Sequence, residues 1–391
     1  MSEEVLSLEP ELFPEMAQEA SSISGTGILA SQQIRELLER QQVFTRVSEG
    51  IAEAQIQPAS LDLRLGTVGY RVQASFLPGQ SSTVEERIKD LQMVRVDLTR
   101  AAVLEKGCVY IIPLLEELKL PEGMSAKANP KSTTGRLDIF TRLIADYGTE
   151  FERVPAGYRG KLYAEIVPRT FTVIVRSGMR LNQIRFIKGK PRFHDSVITA
   201  LDEEKNLVYL DEDSPVKAQV DSGLRISVNL QGSEPSEIVA YKAKRNAPAV
   251  DLEKIGHYDP EEFWDAKSRI SDKGLILDPG DFYILASKER IRVPPDHAAE
   301  MVPIDPSIGE FRIHYAGFFD PGFGYGSSDI KGTRAVLEVR AHEVPFLIEH
   351  GQIVGRLTYM RLLAEPDKIY GLNIGSSYQR QSLTLSKQFK R

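Results

Sequence analysis

The 391-residue sequence has one cysteine, Cys108, so an intramolecular disulfide and a cysteine-built zinc cluster are both excluded. No apolar run approaches the roughly 18 residues of a membrane span. The N-terminus lacks the basic-then-apolar pattern of a secretory signal, and a cytoplasmic protein with no membrane partner is expected. A basic excess is missing too: 49 Lys and Arg stand against 55 Asp and Glu, a net charge of −6. Proteins that coat nucleic acid neutralise phosphates with such an excess, so no nucleic-acid partner is expected. A small anionic ligand needs only a few local cations and stays open. The six histidines are dispersed, and His342-Glu343 has no second histidine at zincin spacing. There is no Walker motif, and Gly322-Phe-Gly324-Tyr-Gly326 lacks dinucleotide spacing. The Pro-Cys-x-x-Cys half of a zinc deaminase needs two cysteines. Any hydrolysis must therefore activate water without zinc.

The length suits two or three domains, and 41% hydrophobic with 27% charged residues is the composition of a chain that buries real cores. Residues 1–26 hold six glutamates and no cation before Arg35, which reads as a mobile acidic arm. A short amphipathic helix is predicted over about 29–41, where Ile34, Leu37 and Leu38 share a face and Ser31 is the expected N-cap. Beyond it, short alternating stretches such as Ser60-Leu-Asp-Leu-Arg-Leu and Leu162-Tyr-Ala-Glu-Ile-Val are punctuated by Gly, Pro and Asp, the grammar of antiparallel strands.

Internal repetition organises the rest. Leu104-Glu-Lys-Gly resembles Leu277-Asp-Pro-Gly, Leu120-Pro121 resembles Val293-Pro294, the strand around Glu165 resembles that around Glu338, and Ser177-Gly178 resembles His350-Gly351. All four pairs are offset by 173 residues (338 − 165, 351 − 178), so two copies of one β fold are expected in tandem. Their bounds are 27–190 and 222–391, joined by an acidic linker over 191–221 in which Val208-Tyr-Leu forms one strand.

Three segments have the chemistry for a site. Lys131-Ser132-Thr133-Thr134-Gly135-Arg136 offers hydroxyls and cations to phosphate oxygens; on composition alone it is equally a capped helix start with solvated charges. Glu165 and Glu338 are carboxylates in apolar strands, where desolvation raises a pKa toward that of a general base; alternation would also suit an outward-facing strand residue. His314-Tyr-Ala316-Gly317-Phe318-Phe-Asp320-Pro321-Gly322-Phe323 reads as a hairpin with a tight Asp-Pro-Gly turn, whose backbone can read a base edge and whose aromatics can stack on it. Alone, such a segment is more often an ordinary turn.

In this order the segments resemble the dCTP deaminase and dUTPase family. The resemblance implies a mainly β protein: two dUTPase-like distorted β-barrel or jelly-roll domains with a few short helices. It assigns Ser132 and Arg136 to the site Ser and phosphate-binding Arg, with Lys131 where Arg is usual and Thr133 beside them. Glu165 and Glu338 fall at the base position of the deaminase branch. Ala316, Gly317, Phe318 and Asp320 fall in the nucleotide-reading hairpin, and Tyr370, Tyr378 and Gln381 in a tail that closes over the nucleotide. The copies depart from the pattern in complementary ways. The hairpin of the first copy is altered, and Asp305-Pro-Ser307-Ile-Gly-Glu310 in the second is acidic where the family is cationic. A composite site is therefore expected: Ser132 and Arg136 from the first copy, Ala316, Gly317, Glu338 and the tail from the second. Glu165 is then vestigial or belongs to a site of another kind.

The reaction implied is hydrolytic deamination of dCTP to dUTP and ammonia, supplying dUTP for thymidylate synthesis, with Mg2+ as the nucleotide chelate and no protein-bound metal. The family forms sites between subunits, which implies a homo-oligomer. A dUTPase, a bifunctional deaminase–dUTPase and a non-catalytic nucleotide-binding regulator are the alternatives.

Overall fold

A computed structural model describes residues 25–191, 194–210, 214–232, 236–269, 274–303, 311–314, 317–325, 330–341, 343–371 and 383–391, with main chain only at 303 and 311–314. The protein is mainly β with a few short helices. Among the described residues, no helix is long and apolar enough to cross a membrane.

The first copy opens on Gly27–Ile28, a short strand antiparallel to Ile187 and Lys188, and on helix α1 (Ser31–Glu39), which buries Ile34 and Leu37. Ser31 is not the N-cap. That position belongs to Ala30, whose N–H donates to the Gln33 side chain. The Ser31 hydroxyl instead donates to Asp367, a residue of the second copy. Strands β1 (Leu61–Arg64) and β2 (Val68–Val72), helix α2 (Val84–Leu91), strands β3 (Val109–Lys119) and β4 (Met124–Pro130), helical turn α3 (Ser132–Gly135), and strands β5 (Ile139–Ala145), β6 (Arg159–Pro168) and β7 (Arg180–Lys188) follow. In one sheet β6 lies between β3 and β5, and in another β7 lies between β1 and β4, all antiparallel.

The second copy repeats this plan. It contains helix α4 (Asp195–Lys205) and strands β8 (Leu224–Ser227), β9 (Ile238–Ala243), β10 (Phe282–Ile291), β11 (His297–Pro303), β12 (Phe311–His314), β13 (Phe318–Phe319), β14 (Thr333–Ala341) and β15 (Ile353–Arg361). Here β14 lies between β10 and β12, and β15 between β8 and β11. Strands β4 and β7 recur as β11 and β15 at the offset of 173 (297 − 124, 353 − 180).

The stretch expected as an acidic linker carries the expected strand, Val208–Tyr209, which pairs with β10 as Val43–Thr45 pairs with β3, and also the helix α4. Its acidity has a structural use. Asp202 is buried and accepts from the backbone N–H groups of Leu207 and Ala218, while Asp195 accepts from those of Ser222 and Gly223. Carboxylates that satisfy otherwise orphaned donors look, in sequence, the same as solvated linker charges. The acidic arm, residues 1–24, lies outside the described residues.

The two copies meet through a core-like interface. Phe171 packs edge-on to Phe263 and Trp264 of the second copy at ring separations of 5.7 and 5.4 Å. Val173–Val175 of the first copy pairs with Val250–Asp251 of the second. Leu385 and Phe389, near the C-terminus, are buried in a core cluster to which both copies contribute, Phe389 against the rings of Phe263 and Trp264 at 5.3 and 5.8 Å. Aromatic burial of this kind supplies most of the energy of such an interface.

Candidate active site

Between the copies lies a cavity of about 780 Å³. One wall is α3 with the residues around it. Its placement is fixed by β7: the Lys131 N–H and the Thr134 hydroxyl both donate to the Leu181 carbonyl, at 2.9 and 2.8 Å. Ser132 is left exposed to the cavity, while Arg136 is buried and donates to the Thr384 carbonyl of the C-terminal segment at 3.0 Å. That segment is tied down further by the Ser386 hydroxyl, which donates to the Thr133 carbonyl at 2.9 Å.

Cations gather at this end. Lys131 pairs with buried Asp62 at 2.5 Å, and Arg180 lies 3.7 Å from the same carboxylate. Lys387 also lines the cavity; partial loss of solvent around its ammonium, and then the like charge of Lys131, hold its pKa below the usual lysine range. A group of cations short of solvent gains when a polyanion arrives.

The opposite wall is β14. Its residues alternate, so Ala335, Leu337 and Val339 enter the core of the second copy while Val336, Glu338 and Arg340 turn toward the first. Glu338 is 6% exposed. Burial pushes its carboxyl up to about 8, against the opposing charge of Arg136 and its own backbone N–H, with Asp138 adding to the rise. A carboxyl whose pKa lies near neutrality is suited to taking and returning a proton.

The third wall is the hairpin. Gly317, Phe318, Phe319 and Asp320 line the cavity, and the Gly317 carbonyl accepts from the Met301 N–H at 3.0 Å. The expected turn is present: Phe323 N–H donates to the Asp320 carbonyl, and Gly322 takes φ of 91°. A Cβ at Gly322 would stand 1.9 Å from Ile369, so this turn packs against the Tyr370 segment only as glycine. Tyr370 lines the cavity with Phe323, ring to ring at 5.6 Å.

Arg185 of the first copy holds the hairpin from behind. It is 1% exposed and donates to the Ala299 and Phe319 carbonyls at 2.8 and 2.9 Å. Its guanidinium also lies 4.1 Å from the Phe318 ring centroid and 3.4 Å from the Asp320 carboxylate. Burial raises the Asp320 carboxyl and Arg185 opposes that rise.

Lys131, Ser132, Thr133, Arg136, Gly317, Phe318, Asp320, Glu338 and Tyr370 are thus brought to one cavity. Ala316, Tyr378 and Gln381 lie outside the described residues, as do Asp305, Ser307 and Glu310. Glu165 is elsewhere. It is fully buried, and Arg142, opposite it on β5, donates to it at 2.5 and 3.0 Å. Its face of β6 is shared with Tyr163, which packs with Val84 and Ile88 of α2. The matching face of β14 looks onto the other copy instead, which is why only Glu338 lines the cavity. Sequence reasoning missed Asp62, Arg180, Arg185 and Lys387. Asp62 sits inside the quoted Ser60-Leu-Asp motif, whereas the others carry no local signal and are recruited by folding. Among the described residues no group of three or more His, Cys, Asp or Glu side chains is arranged to hold a metal ion.

Two family models match the chain: the 2'-deoxycytidine 5'-triphosphate deaminase (DCD) N-terminal domain over residues 25–190, and the C-terminal domain of the same family over 194–389. The chain belongs to the dCTP deaminase family. It is similar to a crystal structure of 2'-deoxycytidine 5'-triphosphate deaminase from Agrobacterium tumefaciens, with 49% identity and a TM-score of 0.82, covering 87% of this chain and 100% of that one. Other relatives align with less than half of the chain. A "dCTP deaminase, dUMP-forming" from Kocuria rhizophila is 28% identical over 43% of this chain and 88% of its own length. A "dCTP deaminase" from Halorubrum lacusprofundi is 27% identical over 44% of this chain and 80% of its own.

Proposed function

We propose that this chain deaminates dCTP hydrolytically, turning dCTP and water into dUTP and ammonia and so supplying dUTP for thymidylate synthesis. Glu338 carries the reading: a carboxyl buried in the cavity wall with its pKa raised to about 8, facing Arg136 of the other copy. In its ionised form Glu338 takes a proton from water as the oxygen attacks C4 of cytosine. Glu338 delivers that proton to N3, where it stays; the hydroxyl proton of the tetrahedral intermediate then passes by way of Glu338 to the exocyclic amine, which leaves as ammonia while C4 becomes a carbonyl. Ser132 holds the water or the developing charge, and Arg136 stabilises it in a site short of solvent. Lys131, Thr133, Arg180 and Lys387 take the triphosphate, which brings Mg2+ as its own chelate. Ala316, Gly317 and Phe318 read the pyrimidine, Asp320 fixes their hairpin through Arg185, and Tyr370, Tyr378 and Gln381 close over the nucleotide. No step calls for zinc. The same reading takes each copy as a dUTPase-type distorted barrel or jelly roll, and the protein as a cytoplasmic homo-oligomer.

A second reading, deamination followed by release of dUMP and pyrophosphate, is favoured by the names of several relatives. Against it, the dUTPase branch activates water with an Asp of the hairpin, and the Asp320 carboxylate of this hairpin is engaged by Arg185. Ammonia and pyrophosphate released from Mg–dCTP separate the two. We expect stoichiometric ammonia with no pyrophosphate. Equal amounts of both would establish the dUMP-forming reaction, and neither product would leave the nucleotide-binding regulator.

A further inference from the structure

The base and the phosphate grip come from different copies, so something must fix their separation. Asp138 is the residue that spans them. It follows Arg136 by two positions and begins the approach to β5, with φ of 54°, a left-handed conformation that aspartate tolerates better than most residues. Its main chain is locked on both sides: its N–H donates to the Gly135 carbonyl at 2.8 Å, and its carbonyl accepts from the Arg169 N–H at 2.9 Å. Its carboxylate is fully buried and meets Arg340 of the second copy through Nε at 3.3 Å and through Nη2. Thr170 completes the cluster, donating to Asp138 at 2.6 Å and accepting from Arg340 at 2.8 Å, and Arg340 reaches on to the Gly280 carbonyl. Arg340 lies on β14 two residues after Glu338, so the two share a face.

We propose that Asp138 is a positioning residue for the deamination: its ion pair with Arg340 holds the β14 strand bearing Glu338 at a fixed distance from the turn bearing Ser132 and Arg136. The proposal rests on the deaminase reading above. Moving either partner of a buried, doubly hydrogen-bonded pair leaves a charge uncompensated, which ties the two elements to one arrangement, and a displacement of about 1 Å at a reacting centre costs roughly 100-fold in rate. The pair also acts on the proton. Among described side chains, the charged groups facing Glu338 are Arg136, which lowers its pKa, and Asp138, which raises it; Arg340 is on its own strand, His314 is its ladder partner on β12, and Ile284 its partner on β10.

The test measures ammonia release from Mg–dCTP across pH for the wild type, Asp138→Asn, Arg340→Gln and the double variant. Asparagine keeps the shape and the left-handed backbone at position 138. Asp138→Asn should lose about 30- to 100-fold in kcat with KM within about threefold, and the ascending limb of kcat/KM should move to lower pH as the neighbouring negative charge is removed. The double variant should be no worse than the poorer single one, since both break the same link. Asp138→Asn with wild-type kcat and an unmoved limb overturns the proposal, as does a variant that loses only thermal stability. A wild type that releases no ammonia overturns the deaminase reading itself, and this proposal with it.

Discussion

Glu165 and Glu338 occupy the same position of the same strand in two copies of one fold, and their surroundings differ in kind. On β6, a covering helix closes the face and Arg142 neutralises the carboxylate. On β14, the face is open to the neighbouring copy and the carboxyl keeps its proton up to a pKa of about 8. Glu338→Gln should therefore lower kcat by at least about 100-fold, whereas Glu165→Gln should stay within about threefold, with its loss appearing in the melting temperature. The proton has a second consequence. The unfolded carboxyl titrates near 4.5 and the folded one near 8, so the folded state binds the proton more tightly. Its contribution is present at acid pH and is lost as pH rises through 8. Glu338→Gln is thus expected to melt higher than wild type at pH 8 by a few degrees, at about 2–4 °C per kcal/mol for domains of this size, and the gain should vanish near pH 5. A constant difference between pH 5 and pH 8 would contradict the raised pKa. Both glutamates were legible as candidates from their apolar flanks. The choice between them was not, because it depends on which element covers the face.

Turn chemistry made the hairpin readable: Asp320-Pro-Gly322 gives the tight turn and the aromatics follow it. What aims it was hidden, since Arg185 lies in a strand of the first copy, 135 residues away from Asp320. A buried arginine there forms a fork on two carbonyls and stacks on Phe318, geometry that a lysine ammonium cannot reproduce. Arg185→Lys should raise KM for dCTP about tenfold while leaving the fold intact by circular dichroism. An unchanged KM would mean that the hairpin is held by β11 pairing alone. The helix α4 inside the acidic stretch was hidden for the same reason as the arginine. Acidic residues that cap backbone donors, as Asp195 and Asp202 do, differ from solvated ones only in what folds onto them.

At the scale of the molecule, each copy brings a different set of residues to one shared cavity. Those residues face each other within one chain, across a cavity lined by Ser132 and Arg136 from the first copy and Glu338 from the second. The 173-residue repeat made the tandem arrangement legible, and complementary departures from the family pattern pointed to residues of both copies, which the fold brings to one cavity. The packing that joins the copies was not, because Phe171, Phe263 and Trp264 are ordinary core residues until they meet. This arrangement separates two kinds of assembly. If every site is completed within a chain, mixing Arg136→Gln subunits with Glu338→Gln subunits restores nothing, since each chain carries one defect in its own site. If sites are completed between chains, a mixed oligomer contains junctions with both intact halves, and up to about a quarter of wild-type activity returns on statistical pairing. Co-expression with two affinity tags, followed by tandem purification and assay of ammonia release from dCTP, reads the difference directly. The structure predicts no rescue, and activity above that of the single variants would move the working site to a junction between subunits.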